Sequence, residues 1–538
     1  MVHIHDLPSE VLAHTFELGT ASPENESGQD DLPCLVSLVC KTWYTLALAT
    51  PTLWNTLVIS DNDPPPLSKL RTHLTRSKRA PLNLYLDFST KAESDQVSRV
   101  LKVLVNELER WRHLVIVVPA FEVMYDAVST ISRAFDKTDG IGAPWLEVLR
   151  LYGPPEFDPS EPEPLDLPTP IPLFGTSSTI NATPRLRDVV LCGIPVDWST
   201  FLPMTLDRLQ LSLHSGSRRP TFTQFAHLTT NSPNLHTLIL NASGPALPPP
   251  TDTPIKVQLD GLRSLTLDCF DPHYVEGLLK RFCTPALETL ALADAVGDSS
   301  RVFEVLAAGR PPITRVDSIG RSVIHSHTAF SSPAAGSSTT SLDSISSSTS
   351  SSAVFPRLTT LKISSVECTP ASFRQLVRGL PNLTSVKLDA RDADPAVLGM
   401  MAEQDESGQS SSSPSSSLSP SGNHDEEEEL PLDTVMTDDQ KICPQLRTVT
   451  CTGVPGTTIR EFVERRMKAR VPVQTVRVCV APDEDELGGA GGGVGGGGRN
   501  WLSASDRAWL EKHVQLEFFD EDEDEEIDGG AWWSTWDA

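Results

Sequence analysis

The sequence predicts an α/β protein in which a small N-terminal helical module precedes a solenoid of stacked repeats with parallel strands. The phrase L-x-x-L-x-L recurs from residue 146 onward, and helical patterns lie between its copies. Its last two leucines alternate, as is typical of a short strand with one buried face. Residues 1–60 show helical spacing without the phrase. A length of 538 residues suits a solenoid, whose core grows by stacking.

The copies of the phrase follow a recurrent spacing. Residues 232–240, S-P-N-L-H-T-L-I-L, form one clear copy, and the first leucines of the copies are Leu146, Leu186, Leu206, Leu235, Leu262, Leu287, Leu358, Leu383 and Leu446. Five of the eight spacings fall between 20 and 29 residues, the range of leucine-rich repeats. The three longer gaps contain inserts, at residues 154–172, 331–352 and 402–440, and the second also contains a degenerate copy at Ile313. A last copy begins at Val473.

Each repeat is predicted to run strand, loop, helix, loop, which places a parallel sheet on the inner curve and helices outside. The predicted domains are a helical module at 1–60, a connector with the first irregular repeats at 61–140, and a solenoid at 141–485 with disordered inserts at 331–352 and 402–440. Residues 486–538 are predicted to be a glycine-rich linker and an acidic tail, with one helix at 500–513 and one strand at 514–519.

The net charge and the cysteine pattern narrow the classes of partner and the compartment expected for the protein. A net charge of −27 argues against binding mainly to nucleic acid or anionic lipid, which requires basic patches. The nine cysteines form no C-x-x-C pair, and no apolar run reaches the length of a membrane span. We therefore expect an intracellular protein, cytoplasmic and/or nuclear, with neither a nucleic acid nor a membrane as partner.

The first sixty residues carry their own pattern. Leu7-Pro8-Ser9-Glu10 opens a helix, because proline is tolerated in a first helical turn. Further helical spacing runs from Leu35 to Ala49, and the segment ends in Pro51-Thr52-Leu53-Trp54. Three short helices around a small core are predicted.

The ordered motifs Leu7-Pro8, Leu12, Val39-Cys40-Lys41, Trp43 and Pro51-x-Leu53-Trp54 resemble an F-box, in particular that of the large fungal set in which an F-box precedes irregular leucine-rich repeats. The resemblance implies docking onto a Skp-type adaptor, and through it a cullin, by residues drawn from Leu7, Pro8, Val11, Leu12, Phe16, Leu38, Val39 and Trp43. Which of these face outward and which form the core stays open. The alternative interpretation is a helical cap that closes the solenoid.

The exposed face of the repeat sheet is the expected place for a target protein. Counting the first leucine as position one, positions three and five point away from the core. Candidate target-binding residues are Arg150, Gln210, Thr237, Thr289, Thr360, Lys362 and Lys387. Thr or Ser occupies position three in six of nine copies, which is also what strand propensity alone favours. The target itself is not indicated.

Catalysis is not expected of this chain. His3-x-His5 could begin a metal hydrolase, but further ligands on later strands are lacking, so no metal and no cofactor are expected. The glycine tract lacks the Lys-Ser/Thr of a phosphate loop, and no nucleophile motif occurs. The F-box resemblance instead implies a non-catalytic, substrate-recognition subunit of a Skp–cullin–F-box ubiquitin ligase. A leucine-rich-repeat interaction scaffold with no role in ubiquitin transfer is the alternative.

Overall fold

The structure is a computed structural model, and it describes part of the chain. The described residues are 4, 7–20, 32–60, 67–89, 94–138, 140–154, 168–176, 182–201, 203, 205–249, 256–307, 315–316, 322–323, 355–389, 398, 442–479 and 502–519. The inserts predicted at 331–352 and 402–440, the glycine tract, and His3 and His5 lie outside these ranges.

The chain divides into two compact units, and the first comprises residues 1–297 and 361–366. Its helices are α1 (Ser9–Thr20), α2 (Leu32–Val39), α3 (Lys41–Ala49), α4 (Leu67–Arg76), α5 (Ser94–Leu104), α6 (Phe121–Asp136), α7 (Phe222–Asn231) and α8 (Pro272–Leu279). Its strands are β1 (Thr56–Ser60), β2 (Leu82–Asp87), β3 (Trp111–Val117), β4 (Val148–Tyr152), β5 (Asp188–Cys192), β6 (Arg208–Ser212), β7 (Thr237–Asn241), β8 (Val257–Gln258), β9 (Ser264–Asp268), β10 (Phe282–Cys283), β11 (Thr289–Ala293) and, except for its first residue, β14 (Thr360–Ser364).

The second unit comprises residues 298–360 and 367–538. Its helices are α9 (Ser300–Ala307), α10 (Pro370–Arg378), α11 (Gly456–Lys468) and α12 (Ala504–His513). Its strands are β12 (Arg315–Val316), β13 (Ser322–Val323), β15 (Ser385–Asp389), β16 (Thr448–Thr452), β17 (Thr475–Cys479) and β18 (Gln515–Phe519).

The predicted fold class, a parallel α/β repeat, is confirmed in both units. In the first unit, β1 to β7 pair in chain order, followed by β9 and β11, and every pairing is parallel. In the second unit, β15 to β18 pair in the same way. The sheet of the second unit thus continues into β18, beyond residue 485, because residues 515–519 form a further parallel strand. Ile313, where a degenerate copy is predicted, lies outside the described residues; the nearby β12 pairs antiparallel with β13.

The repeat phrase forms the core as its spacing predicts. In the copy that contains β7, Leu235, Leu238 and Leu240 are buried, whereas Thr237 and Ile239 between them are half-exposed. The N–H of Leu235 donates to the carbonyl of Ser232, and the same turn precedes the first leucine in other copies. The turn directs the chain into the sheet, and alternation then places the leucines on the buried side.

A second recurrent feature fixes the ends of β5, β6, β7 and β9. The residue after the strand takes a left-handed backbone conformation at Gly193, Leu213, Ala242 and Cys269, with φ of 67°, 53°, 43° and 51°. Its N–H donates to the last carbonyl of the next strand, as from Gly193 to Ser212. The hydrogen-bonded ladder therefore continues past the strand while the chain turns away toward the next helix.

The N-terminal module has its own small core, formed by Leu12, Phe16, Val36, Ala47, Leu53 and Trp54. The Trp54 indole N–H donates to the Ala47 carbonyl at 2.8 Å. The same ring meets His73 of α4 edge-on, with centroids 5.0 Å apart, and Arg76 of α4 lies 4.3 Å above it. Trp54 thus joins the helical module to the first helix of the repeat region, immediately before β1 begins.

Within the described ranges, no helix has both the length and the apolar character needed to cross a bilayer.

The turn after β5 provides a test of the strand-end geometry. A Cβ atom on Gly193 would lie 2.4 Å from the Pro154 carbonyl oxygen, and the left-handed φ adds backbone strain. We expect Gly193→Ala to lower the free energy of unfolding by about 2 kcal/mol or more, measured by urea denaturation. Gly216→Ala is the matched control, because no atom lies within 4 Å of its added Cβ. Equal effects of the two substitutions would contradict the steric explanation.

His214 is a buried histidine in the turn that follows β6. Its Nδ1 lies 2.8 Å from the Ser243 hydroxyl, and its ring meets Trp198 edge-on. Burial, together with the charge of the nearby Arg219, lowers the pKa of His214 to about 3. The imidazole is therefore neutral in the folded protein across the physiological range.

The low pKa of His214 predicts loss of stability in mild acid. Below about pH 6.5 the unfolded chain binds a proton that the folded chain cannot accept, so the free energy of unfolding falls. Between about pH 7.5 and about pH 5 this contribution amounts to about 2 kcal/mol. In urea denaturation at the two pH values, His214→Gln should remove about that much of the pH dependence. The same change at the exposed His236 should leave the dependence intact, and a His214→Gln profile identical to the unsubstituted chain would refute the assignment.

Candidate functional site

The N-terminal module separates its predicted adaptor-binding residues into two groups. Leu12 and Phe16 lie in the module's core, and Trp43 is half-buried against Phe16, with ring centroids 4.8 Å apart. These three support the fold of the module. The other five are exposed: Leu7, Pro8, Val11, Leu38 and Val39.

Helix α2 is the most informative element of this module. Its sequence, LPCLVSLV, is apolar on every side, and its single polar side chain, Ser37, donates to the Pro33 carbonyl at 2.7 Å. Pro33 and Val36 are buried, yet Leu38 is 82% exposed and Val39 59%. A helix that is apolar all round is normally covered on all sides. The outward side of α2 therefore has the composition of a contact surface.

Leu35 and Tyr44 are also exposed apolar residues of the module that the sequence interpretation missed. Leu35 could have been found, because it lies three and four residues before Leu38 and Val39 and so shares their helix face. We use the name N-terminal apolar surface for the exposed side chains of Leu7, Pro8, Val11, Leu35, Leu38 and Val39. Leu35, Leu38 and Val39 share one face of α2, and clustered apolar exposure of this kind usually marks an interaction site.

The candidate target-binding residues all lie on strands, at positions three and five of their copies, which we call the inner face. Arg150, Gln210, Thr237, Thr289 and Lys362 belong to the first unit, and Thr360 and Lys387 to the second. Six of the seven are half-exposed, whereas Gln210 is only 2% exposed. Gln210 accepts a hydrogen bond from Arg208 at 3.1 Å, so it holds a neighbouring side chain and offers little surface of its own.

A charged cluster occupies the inner face at β4, β5 and β6. Arg150 donates from Nη2 to Asp188 Oδ2 at 2.6 Å, and Arg208 Nε lies 3.9 Å from the other oxygen of Asp188. We call these three residues the Arg–Asp–Arg cluster. Partial burial opposes the charge on Arg150, but Asp188 outweighs that effect and raises the pKa of the guanidinium. The cluster carries two positive charges and one negative charge.

Polar and aromatic groups adjoin the cluster on the side of β2 to β4. Tyr85 Oη lies 3.5 Å from His113 Nδ1, and Glu147 accepts from Arg112 at 3.0 Å. Burial lowers the pKa of His113, and Arg112 lowers it further, so this imidazole is neutral at pH 7. Burial likewise raises the pKa of Tyr152, which stays un-ionised. Neither group changes the net charge of the cluster.

Asp188 and Arg208 were not among the residues selected from the sequence. They occupy position three of copies that begin at Leu186 and Leu206, where later copies carry threonine or serine. The departure from that threonine row was the available signal. The register of the strands brings Asp188 and Arg208 close to Arg150, since Val148 pairs with Asp188 and Asp188 with Arg208.

Among the described residues, one group has ligand types and spacing that could suit a metal ion: Asp268, Cys269 and Asp294. Burial, together with the Asp268 charge, raises the pKa of Cys269 to about 12, so without a bound ion the thiol stays protonated. Cys269 and Asp294 are both left-handed residues that directly follow strands. Their proximity follows from the recurrent turn geometry.

Neither a protein-family model nor a curated protein matches this chain. Among solved structures, the chain is similar to one in the crystal structure of the Rad7 and Elc1 complex from yeast, with 12% sequence identity and a TM-score of 0.31. The similarity covers 83% of this chain and 88% of that chain. A TM-score this low gives no basis for transferring fold, partner or function.

The division of the module into core and surface predicts different effects of two leucine substitutions. Leu12→Ala removes buried volume and should destabilise the module by about 2–5 kcal/mol, whereas Leu38→Ala should cost less than about 0.5 kcal/mol. Hydrogen–deuterium exchange of α1 and α3 in the full chain would report both effects. Faster exchange in the Leu38→Ala variant, comparable to that of Leu12→Ala, would show that Leu38 is part of the core.

Proposed function

We propose that this chain is the substrate-recognition subunit of a Skp–cullin–F-box ubiquitin ligase. The N-terminal module docks a Skp-type adaptor, which links it to a cullin, and the inner face of the repeat sheet binds the target protein. The chain supplies binding surfaces, and its partners supply catalysis.

The observation that carries the proposal is the exposed side of α2. Leu38 and Val39 are exposed on a helix whose opposite side is already packed into the module's core. A terminal cap serving only to close a solenoid would present a polar outer side. The apolar outer side includes Val39, a residue of the F-box resemblance, and Leu7-Pro8 of the same resemblance are also exposed, which supports adaptor docking over a capping role.

Two surfaces on one unit fit the proposed mechanism. The N-terminal apolar surface and the Arg–Asp–Arg cluster both belong to the unit formed by residues 1–297 and 361–366. A receptor that holds its target on the same compact unit as its adaptor raises the effective concentration of target lysines near the ubiquitin-carrying enzyme. No catalytic group of this chain is required for that effect.

Charged substitutions on α2 test adaptor docking. Leu38→Asp together with Val39→Asp should weaken binding of a purified Skp-type adaptor at least about tenfold, because two apolar side chains leave the interface and two charges enter it. Binding would be measured by biolayer interferometry with the full chain. The matched control is Val296→Asp, which places a charge on a residue that is 78% exposed and lies outside the module.

The results separate the two functional hypotheses. Unchanged adaptor binding by the α2 double variant, or no binding by the unsubstituted chain, would rule out the F-box assignment. If adaptor binding is lost in the double variant but no protein in cells changes its ubiquitination or half-life, the chain is an interaction scaffold without a role in ubiquitin transfer.

A further inference from the structure

We infer that the Arg–Asp–Arg cluster on β4, β5 and β6 recognises a carboxylate-rich segment, a run of Asp and Glu residues, in the target protein. The inference rests on the proposed role of the inner face in target binding and adds the chemical class of the target.

The position of the cluster on the sheet is the first argument. On β7, β9 and β11, positions three and five hold only groups that do not ionise: Thr237, Ile239, Ser264, Thr266, Thr289 and Ala291. The charge on this part of the inner face is therefore concentrated at Arg150, Asp188 and Arg208. Three successive strands contribute one charged residue each, within a compact area that a single peptide segment can contact.

The sign of the charge is the second argument. Two guanidinium groups flank one carboxylate, and the neighbouring His113 and Tyr152 are neutral, so a net positive charge remains in a chain whose total is −27. A lysine or arginine of a partner would approach Asp188 past two positive charges. An Asp or Glu side chain approaches two positive charges and competes with a single carboxylate, Asp188.

The geometry of the arginines is the third argument. Within the described chain Arg150 makes one hydrogen bond, to Asp188, although a guanidinium has five N–H donors. Its side chain is 32% exposed, and its Nε is buried without a hydrogen-bond partner among the described residues. Gln210 beneath the surface accepts from Arg208 Nη2, which orients that guanidinium before any partner arrives. Fixed guanidiniums suit planar carboxylates, which they bind through paired hydrogen bonds.

The test uses the full chain and a fluorescein-labelled peptide of about ten glutamates, with binding followed by fluorescence anisotropy. Arg150→Gln should weaken binding about tenfold, the value of one charge-assisted contact. Arg208→Gln should weaken it similarly and is the second variant because it leaves the Arg150–Asp188 pair in place. Asp188→Asn should tighten binding several-fold, since it removes the competing carboxylate. Arg263→Gln is the matched control, an exposed arginine directly before β9 and outside the cluster, and should have no effect.

Three results would overturn the inference. One is equal binding by Arg150→Gln, Arg208→Gln and the unsubstituted chain. Another is an equal affinity for a lysine peptide of the same length. The third is Arg150-dependent binding of a phosphoserine peptide while the glutamate peptide does not bind, which would assign the cluster to phosphate.

Adaptor binding by the same variants keeps this inference separate from the proposed function. Arg150→Gln and Arg208→Gln should bind the Skp-type adaptor as the unsubstituted chain does. Arginine-dependent peptide binding in a chain that never binds the adaptor would refute the ligase role and leave the carboxylate site standing. Normal adaptor binding with no arginine-dependent peptide binding would refute the carboxylate site and leave the ligase role standing.

Discussion

The hydrogen bonds between neighbouring strands, in unshifted register from β3 to β11, are the constraint on which the rest of the first unit depends. Val148 pairs with Asp188 and Asp188 with Arg208, and the same alignment continues through Thr237, Ser264 and Thr289. A slip of one residue would turn every core leucine of a strand outward. A turn before the first leucine of most copies, and the left-handed residue after β5, β6, β7, β9 and β11, hold the ends of the register.

The strand register also determines which charged side chains lie next to each other. Arg150, Asp188 and Arg208 are far apart in sequence, and none of them is exceptional within its own copy. Stacking places them side by side and lets one carboxylate serve two guanidiniums. A repeat fold can therefore build a specific recognition site from single substitutions in adjacent copies while its core stays constant.

The sequence predicted the parallel repeat well because its signal, the buried leucine at fixed spacing, is repeated many times and each copy supports the others. It could not predict which residues of the N-terminal module face outward. Leu12 and Leu38 are both leucines on short helices, and only the packing of α1, α2 and α3 decides that one is buried and the other exposed. Gln210 illustrates a further limit, since its position in the phrase predicted exposure and the structure buries it beside Arg208.

The position of Trp54 determines whether the helical module can be separated from the repeat region. Its ring belongs both to the core of the helical module and, through His73 and Arg76, to the first helix of the repeat region. The boundary between the two parts is therefore a shared side chain and not a tether. Grafting residues 7–54 onto a different repeat protein would separate the indole from the two α4 residues that hold it. A chimera that keeps its native orientation has to carry α4 across with the module, so the smallest transplantable block ends at Arg76 and not at the last residue of the helical core.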